Sequence, residues 1–204
     1  MTEMSMHNEP RNLSEILAAR SLMPTKLSHV VLRTARLKPA RDWYLTTLNG
    51  RVQYEDAGVC FLTYDTEHHR IGIVQMPGIT GEPGMGPGLE HISFAYRDLG
   101  ELLANYQRLK ALRIEPYWTI NHGPTISMYY RDPDGNRIEL QYDIFSTAEG
   151  ANRFIAENYA ENFMGIIFDP EEMIRKYEAG VSLAEIVERP ALPAGKTAWD
   201  MHRP

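Results

Sequence analysis

The chain has almost no cysteine. Its single thiol, Cys60, excludes an internal disulfide framework and any zinc site built on cysteines. A reducing compartment fits that usage. A basic excess is also missing: 21 Lys and Arg against 27 Asp and Glu leave a net charge of −6, which offers no footprint for nucleic acid. No apolar run approaches the ~20 residues that span a bilayer. The opening MTEMSMHNEPRNLSEILAAR is polar and mixed in charge, without the apolar stretch of a secretory leader. These absences predict a cytoplasmic protein with neither a nucleic-acid nor a membrane partner. What remains is 204 residues, 43% apolar and 24% charged, which suits one domain with extensions or two small modules sharing a core.

Two segments share one layout. The first opens with KLSHVVLRT, a short strand carrying His29, and continues with a helix from Pro39 to Leu48 and strand-like runs RVQYED, GVCFLTYDT and HRIGIVQM. The second opens with GLEHISFAY, a strand carrying His91. A helix over DLGELLANYQRLKAL follows, with Asp98 as N-cap and Glu101 completing a capping-box pattern. Strands around IEPYWTI, ISMYYRD and NRIELQY close it. Each half thus reads strand, helix, three strands, an α+β pattern. His29 and His91, 62 positions apart, hold the same place in their halves. A duplicated unit of this length means that neither half buries its sheet alone. We divide the chain into a helical extension (1–25), a domain of two modules (26–80 and 88–145 within 26–145), and a helical extension with tail (146–204). The Gly/Pro-rich linker PGITGEPGMGPG joins the modules, helices are expected at LSEILAARSL, AEGANRFIAENYAENF, DPEEMIRKYEAG and SLAEIVERP, and the tail ALPAGKTAWDMHRP shows no periodicity.

The residues that could do chemistry follow from strand alternation. His29, His91 and Glu139 project from three separate strands, away from bulky apolar neighbours. Two imidazoles and one carboxylate can occupy one face of a metal ion and leave the opposite face open; no fourth donor sits at a matching place, as a closed structural site would need. A symmetric hairpin around DPDGN pairs Tyr129 with Glu139, within about 5.5 Å at Cβ. His69 begins a strand beside a loop, where an imidazole can take and return a proton at neutral pH. His122 lies in a loop seven positions before Tyr129. Each of these residues has an ordinary alternative as a surface or core side chain; their joint pattern is what points to a site.

KLSHVVLRT, EHHRIGIVQMPG, GLEHISFAYRDL and SMYYRDPDGNRIELQYD resemble the vicinal oxygen chelate superfamily, and within it the type I extradiol ring-cleaving dioxygenases in their one-domain form. The resemblance implies paired βαβββ modules curled into an open barrel-like mixed sheet, with ligands His29, His91 and Glu139 for Fe(II) (or Mn(II)). It assigns acid/base chemistry to His69 and contacts to substrate oxygens to His122 and Tyr129. It also implies a small aromatic diol and O2 as partners, and a homo-oligomer. The same fold and a similar metal triad serve glyoxalase-like isomerases and fosfomycin-type transferases, and metal-free relatives bind small molecules; those readings stay open at this point.

Overall fold

Alternating apolar residues, punctuated by Asp, Asn and Gly, generate the expected order of elements twice. A computed structural model describes residues 12–18, 22–79 and 87–204. A short helix α1 (Leu13–Ala18) comes first; the predicted continuation to Leu22 fails at Leu22 itself, and 19–21 lie outside the described residues, as does 80–86 of the linker. The first module is β1 (Val30–Thr34), α2 (Leu37–Leu48), β2 (Arg51–Glu55), β3 (Val59–Thr63) and β4 (Ile71–Gln75). The second is β5 (Ile92–Tyr96), α3 (Leu99–Ala111), β6 (Trp118–Asn121), β7 (Thr125–Arg131) and β8 (Arg137–Asp143). The C-terminal extension adds α4 (Ala148–Asn162), β9 (Ile166–Ile167), α5 (Pro170–Glu178), α6 (Leu183–Ile186) and a 3-10 turn at Ala198–Met201.

The strands form two mixed sheets, ordered β1-β4-β3-β2 and β5-β8-β7-β6-β9, with no closed barrel. In each, the first strand runs parallel to the last of its module (β1 with β4, β5 with β8) and the other pairs are antiparallel. The β2–β3 register slips between Val52 and Tyr54, a bulge in an edge strand whose five residues are all exposed.

Local chemistry sets the helix ends. Asp98 accepts a hydrogen bond from the Glu101 amide at 2.8 Å, as the sequence predicts. The Glu101 carboxylate takes its bond from the amide of Arg97 instead of Asp98, so the capping box closes one residue early. Asp169 and Ser182 cap α5 and α6 in the same way. On α3, Leu99, Leu102, Leu103, Tyr106 and Leu109 form one buried face at helical spacing. It meets Leu62, Ile71 and Ile73 of one sheet and Ile126, Ile138 and Leu140 of the other in a single shared core. Each such side chain contributes about 1.5–3 kcal/mol of apolar burial, and the sharing explains why neither half stands alone. Polar bonds cross the same junction: Tyr44 donates to the buried Asp132 at 2.9 Å, and Arg108 to the Thr46 carbonyl at 2.7 Å.

Three predictions at the C-terminal end need correction. The segment after α4 contains β9, which pairs antiparallel with β6. The helix expected to reach Pro190 stops at Ile186; the Val187 carbonyl accepts from the Asn121 side chain at 2.9 Å instead. The tail is ordered: Thr197 and Asp200 form a capping box, and Met201 packs in a cluster with Trp118, Ile120 and Tyr129. Among the described residues no helix is long and apolar enough to cross a membrane.

Candidate active site

Strand register builds the second module's site. Ser93, Glu139, Tyr129 and Trp118 are direct neighbours across β5, β8, β7 and β6, so all four share one face of the sheet. Tyr129 thus pairs with Glu139 as the hairpin predicts. Its register is pinned at the turn, where Asp132 accepts from the amides of Asp134 and Asn136 at 2.9 and 2.8 Å. Glu139 is only 4% exposed. The Tyr129 hydroxyl donates to Glu139 Oε1 at 2.9 Å, and His91 Nε2 lies 3.2 Å from Oε2. His122 Nε2 is 3.0 Å from the same Tyr129 hydroxyl. The indole of Trp118 stacks on Tyr129 at 4.6 Å between centroids, and His202 meets that indole edge-on at 5.4 Å.

The first module gathers a separate cluster. His29 directly precedes β1 as His91 directly precedes β5. Its ring lies 4.3 Å from that of His69, which in turn stacks on Phe61 at 4.5 Å and 20°. His68 shares an Nδ1-to-Nδ1 contact with His69. The six candidates therefore fall into His91, Glu139, Tyr129 and His122 on one side, and His29 with His69 on the other. Among the described residues no three His, Cys, Asp or Glu side chains are grouped as a metal site.

The surroundings tune each group. Burial opposes ionisation of Glu139, and hydrogen bonds from His91 and Ser127 outweigh it, holding the carboxyl at about 2. The bond to Glu139 raises the His91 pKa against the pull of burial. Burial lowers that of His122 and, aided by the neighbouring His29 and His68, that of His69; both stay neutral imidazoles at pH 7. Burial and then the charge of Glu139 raise the Tyr129 phenol, which keeps its proton.

This donor chemistry fits a divalent cation. A buried carboxylate and an imidazole face each other with 3.2 Å between Nε2 and Oε2. Nitrogen and oxygen ligands stand about 2.0–2.2 Å from a transition metal, which sets two ligands at right angles on one ion about 3 Å apart, and the 3.2 Å pair matches that spacing. The buried indole N–H of Trp118 has no partner among the described residues, which leaves a donor in the same wall.

Sequence reasoning missed the groups behind His122. Its Nδ1 bonds the carbonyl oxygen of Met164, and Arg189 donates to the carbonyl of His122 itself at 3.1 Å. A backbone carbonyl leaves no mark in a residue pattern. Gly165 was the one available signal: φ there is +115°, and a Cβ would lie 2.3 Å from the Asn121 carbonyl oxygen, so that turn requires glycine. His202, to which the sequence assigns no role, is drawn to Trp118 by the ordered tail.

Residues 26–140 match the family model described as the glyoxalase/bleomycin resistance protein/dioxygenase superfamily. Two relatives from Rhodococcus globerulus are similar over most of their length. Biphenyl-2,3-diol 1,2-dioxygenase 2 is 42% identical, across 79% of this chain and 86% of that protein. Biphenyl-2,3-diol 1,2-dioxygenase 3 is 40% identical, across 80% and 88%. A crystal structure of a glyoxalase/bleomycin resistance protein/dioxygenase from Nocardioides superposes with a TM-score of 0.51 at 16% identity, covering 66% of this chain and 94% of that one, a likeness of fold.

Proposed function

The chain belongs to the glyoxalase/bleomycin resistance protein/dioxygenase superfamily, and from that premise we infer that it is an extradiol dioxygenase, an oxidoreductase that adds both atoms of O2 to a catecholic ring beside its two hydroxyls. The observation that carries this reading is the identity to two relatives whose names place the hydroxyls at carbons 2 and 3 and the oxygenation at 1 and 2. Cleavage next to the diol is what those numbers describe. Both oxygen atoms remain in the ring-opened product, so the reaction needs no external reductant.

The family and these relatives imply a metal cofactor. We assign His91, Glu139 and His29 to hold it. The first two make the 3.2 Å pair; His29 comes from the other module, outside that pair, and its assignment rests on holding His91's place in the repeat. Two imidazoles and one carboxylate with an open face are the donor set of non-haem Fe(II) oxygenases, and Fe(II) is the metal proposed, ahead of Mn(II). Such an ion supplies Lewis acidity that favours the ionised diol and a common seat for diol and O2.

The chain's own residues do the rest. Tyr129 and His122, linked at 3.0 Å, hydrogen-bond a substrate oxygen and hold the ring in one orientation. His69, neutral and half-buried against Phe61, accepts a proton from the diol on Nε2 and returns it to the product. Trp118, stacked on Tyr129, and Met201 of the tail keep water from that wall.

The test is direct. The chain is loaded anaerobically with Fe(II) and mixed with 2,3-dihydroxybiphenyl or catechol in air. A yellow ring-opened product, with one O2 consumed per diol, is expected. No product and no oxygen uptake with either Fe(II) or Mn(II) would overturn the reading.

A further inference from the structure

His122 is held from behind, by residues far from it in sequence and outside the repeat. Its Nδ1 faces the Met164 carbonyl, which can only accept. Nδ1 therefore carries the hydrogen, and in a neutral imidazole Nε2 is left as an acceptor 3.0 Å from the Tyr129 hydroxyl, whose single hydrogen can go to Nε2 or to Glu139 Oε1 at 2.9 Å. The Met164 carbonyl is fixed in turn. Asn162, a buried side chain, accepts from the amides of Met164 and Gly165 at 3.2 and 2.9 Å and donates to the Gly165 carbonyl at 2.9 Å. Gly165 lets this turn lie flat on the backbone of Asn121 and His122.

One side chain ties the turn to the loop. Arg189 Nη1 donates to the His122 carbonyl at 3.1 Å and to the Asn162 carbonyl at 2.9 Å. The guanidinium lies over the Phe154 ring at 4.8 Å, and that ring packs on Gly123, where an added Cβ would come within 2.1 Å of it. Both ends of the Nδ1-to-carbonyl bond are therefore attached to backbone that Arg189 bridges.

We propose that Arg189 is a positioning residue for His122: by joining the His122 loop to the Asn162–Gly165 turn, it keeps the Met164 carbonyl on Nδ1 and so keeps Nε2 free to accept a hydrogen bond at the substrate side. The C-terminal extension is on this account part of the active site. The proposal deepens the dioxygenase reading and rests on it for the role of His122 toward the diol.

Two readouts separate the claims. In the full chain labelled with 15N at histidine, without added iron, two-bond 1H–15N correlations report which ring nitrogen of His122 carries the hydrogen. Wild type is expected as the Nδ1–H form alone. Arg189→Met, which keeps the stem and removes both donors, shifts it to a mixture of the two tautomers. Arg189→Lys, whose ammonium can reach both carbonyls, restores the single form. In the iron-loaded enzyme Arg189→Met loses about tenfold to a hundredfold in kcat/KM for the diol, with Arg189→Lys recovering most of it and Lys196→Ala, in the exposed tail, unchanged. If Arg189→Met does not fold, Arg189→Gln, too short to bridge both carbonyls, takes its place. An unaltered single tautomer in a folded Arg189→Met or Arg189→Gln chain overturns the proposal, whatever the activity. A wild-type chain inert toward diols overturns the functional reading and leaves the tautomer result standing.

Discussion

The two modules place the same positions on very different faces. In the second, the row across β5, β8, β7 and β6 is Ser93, Glu139, Tyr129 and Trp118; in the first, across β1, β4, β3 and β2, it is Val31, Gly72, Phe61 and Tyr54. The backbone pairing is equivalent. The carboxylate of one module has become a glycine in the other, and the phenol a plain ring. Exposure differs at two of the four places: Tyr129 and Trp118 are 4% and 7% exposed, while their counterparts Phe61 and Tyr54 are half-buried and 52% exposed. The extension makes that difference. Met164, Ile166, Leu192 and Met201 pack on the second row. A repeat can thus give two copies of a scaffold and let one appended segment turn a single copy into a desolvated, polar site. Gly72 also accounts for the missing fourth donor.

Glu139→Gln removes the only carboxylate of either row. We expect it to cut iron retained after dialysis against a chelator, and kcat/KM, by roughly a hundredfold or more; second-sphere partners alone are worth 10–100-fold. Undiminished iron content would remove Glu139 from the ligand set. A gentler change makes the second row resemble the first. Tyr129→Phe deletes the hydroxyl that Glu139 and His122 share, and should cost about 10–100-fold in kcat/KM with iron content retained. The matching change in the first module, Phe61→Leu, leaves Glu139 and His122 their partners and should lower kcat less. Equal losses from the two would end the contrast.

The smallest effect concerns Cys60 and Met128, which occupy matching, fully buried places in β3 and β7. Burial, helped by Glu55, pushes the Cys60 thiol up to about 11. Its folded value lies above its unfolded value of about 8.5. The neutral thiol therefore contributes stability in full below about pH 8.5, and that contribution is lost as pH rises through about 11. Alkylation at pH 7 should be negligible in the native chain and complete in urea, as mass spectrometry would read it. Cys60→Ala should flatten the alkaline fall in Tm. Rapid native labelling would contradict the burial.

Much of this was legible in the sequence where chemistry repeats or alternates. The Tyr129–Glu139 pairing followed from a symmetric turn, and the matched places of His29 and His91 from the duplication. The capping residues Asp98, Asp169 and Ser182 announced their helices. Legibility ended where long-range packing takes over. Met164 acts through its carbonyl, which any residue could supply. Arg189 reads as one more surface cation until the fold brings it under His122. The tail looks irregular because only Ala198 and Met201 are buried there, the latter against an indole 83 positions earlier.

The slip between Val52 and Tyr54 bears on how the protein behaves when crowded. An exposed outer strand invites another chain to extend the sheet, the first step toward fibrils. β9 already covers β6 in the other sheet, but among the described residues no strand pairs with the outer side of β2. With one extra residue kinking β2, an arriving strand cannot keep step along its whole length. Restoring a regular ladder there by deleting Gln53 would leave a straight, sticky border open to self-assembly.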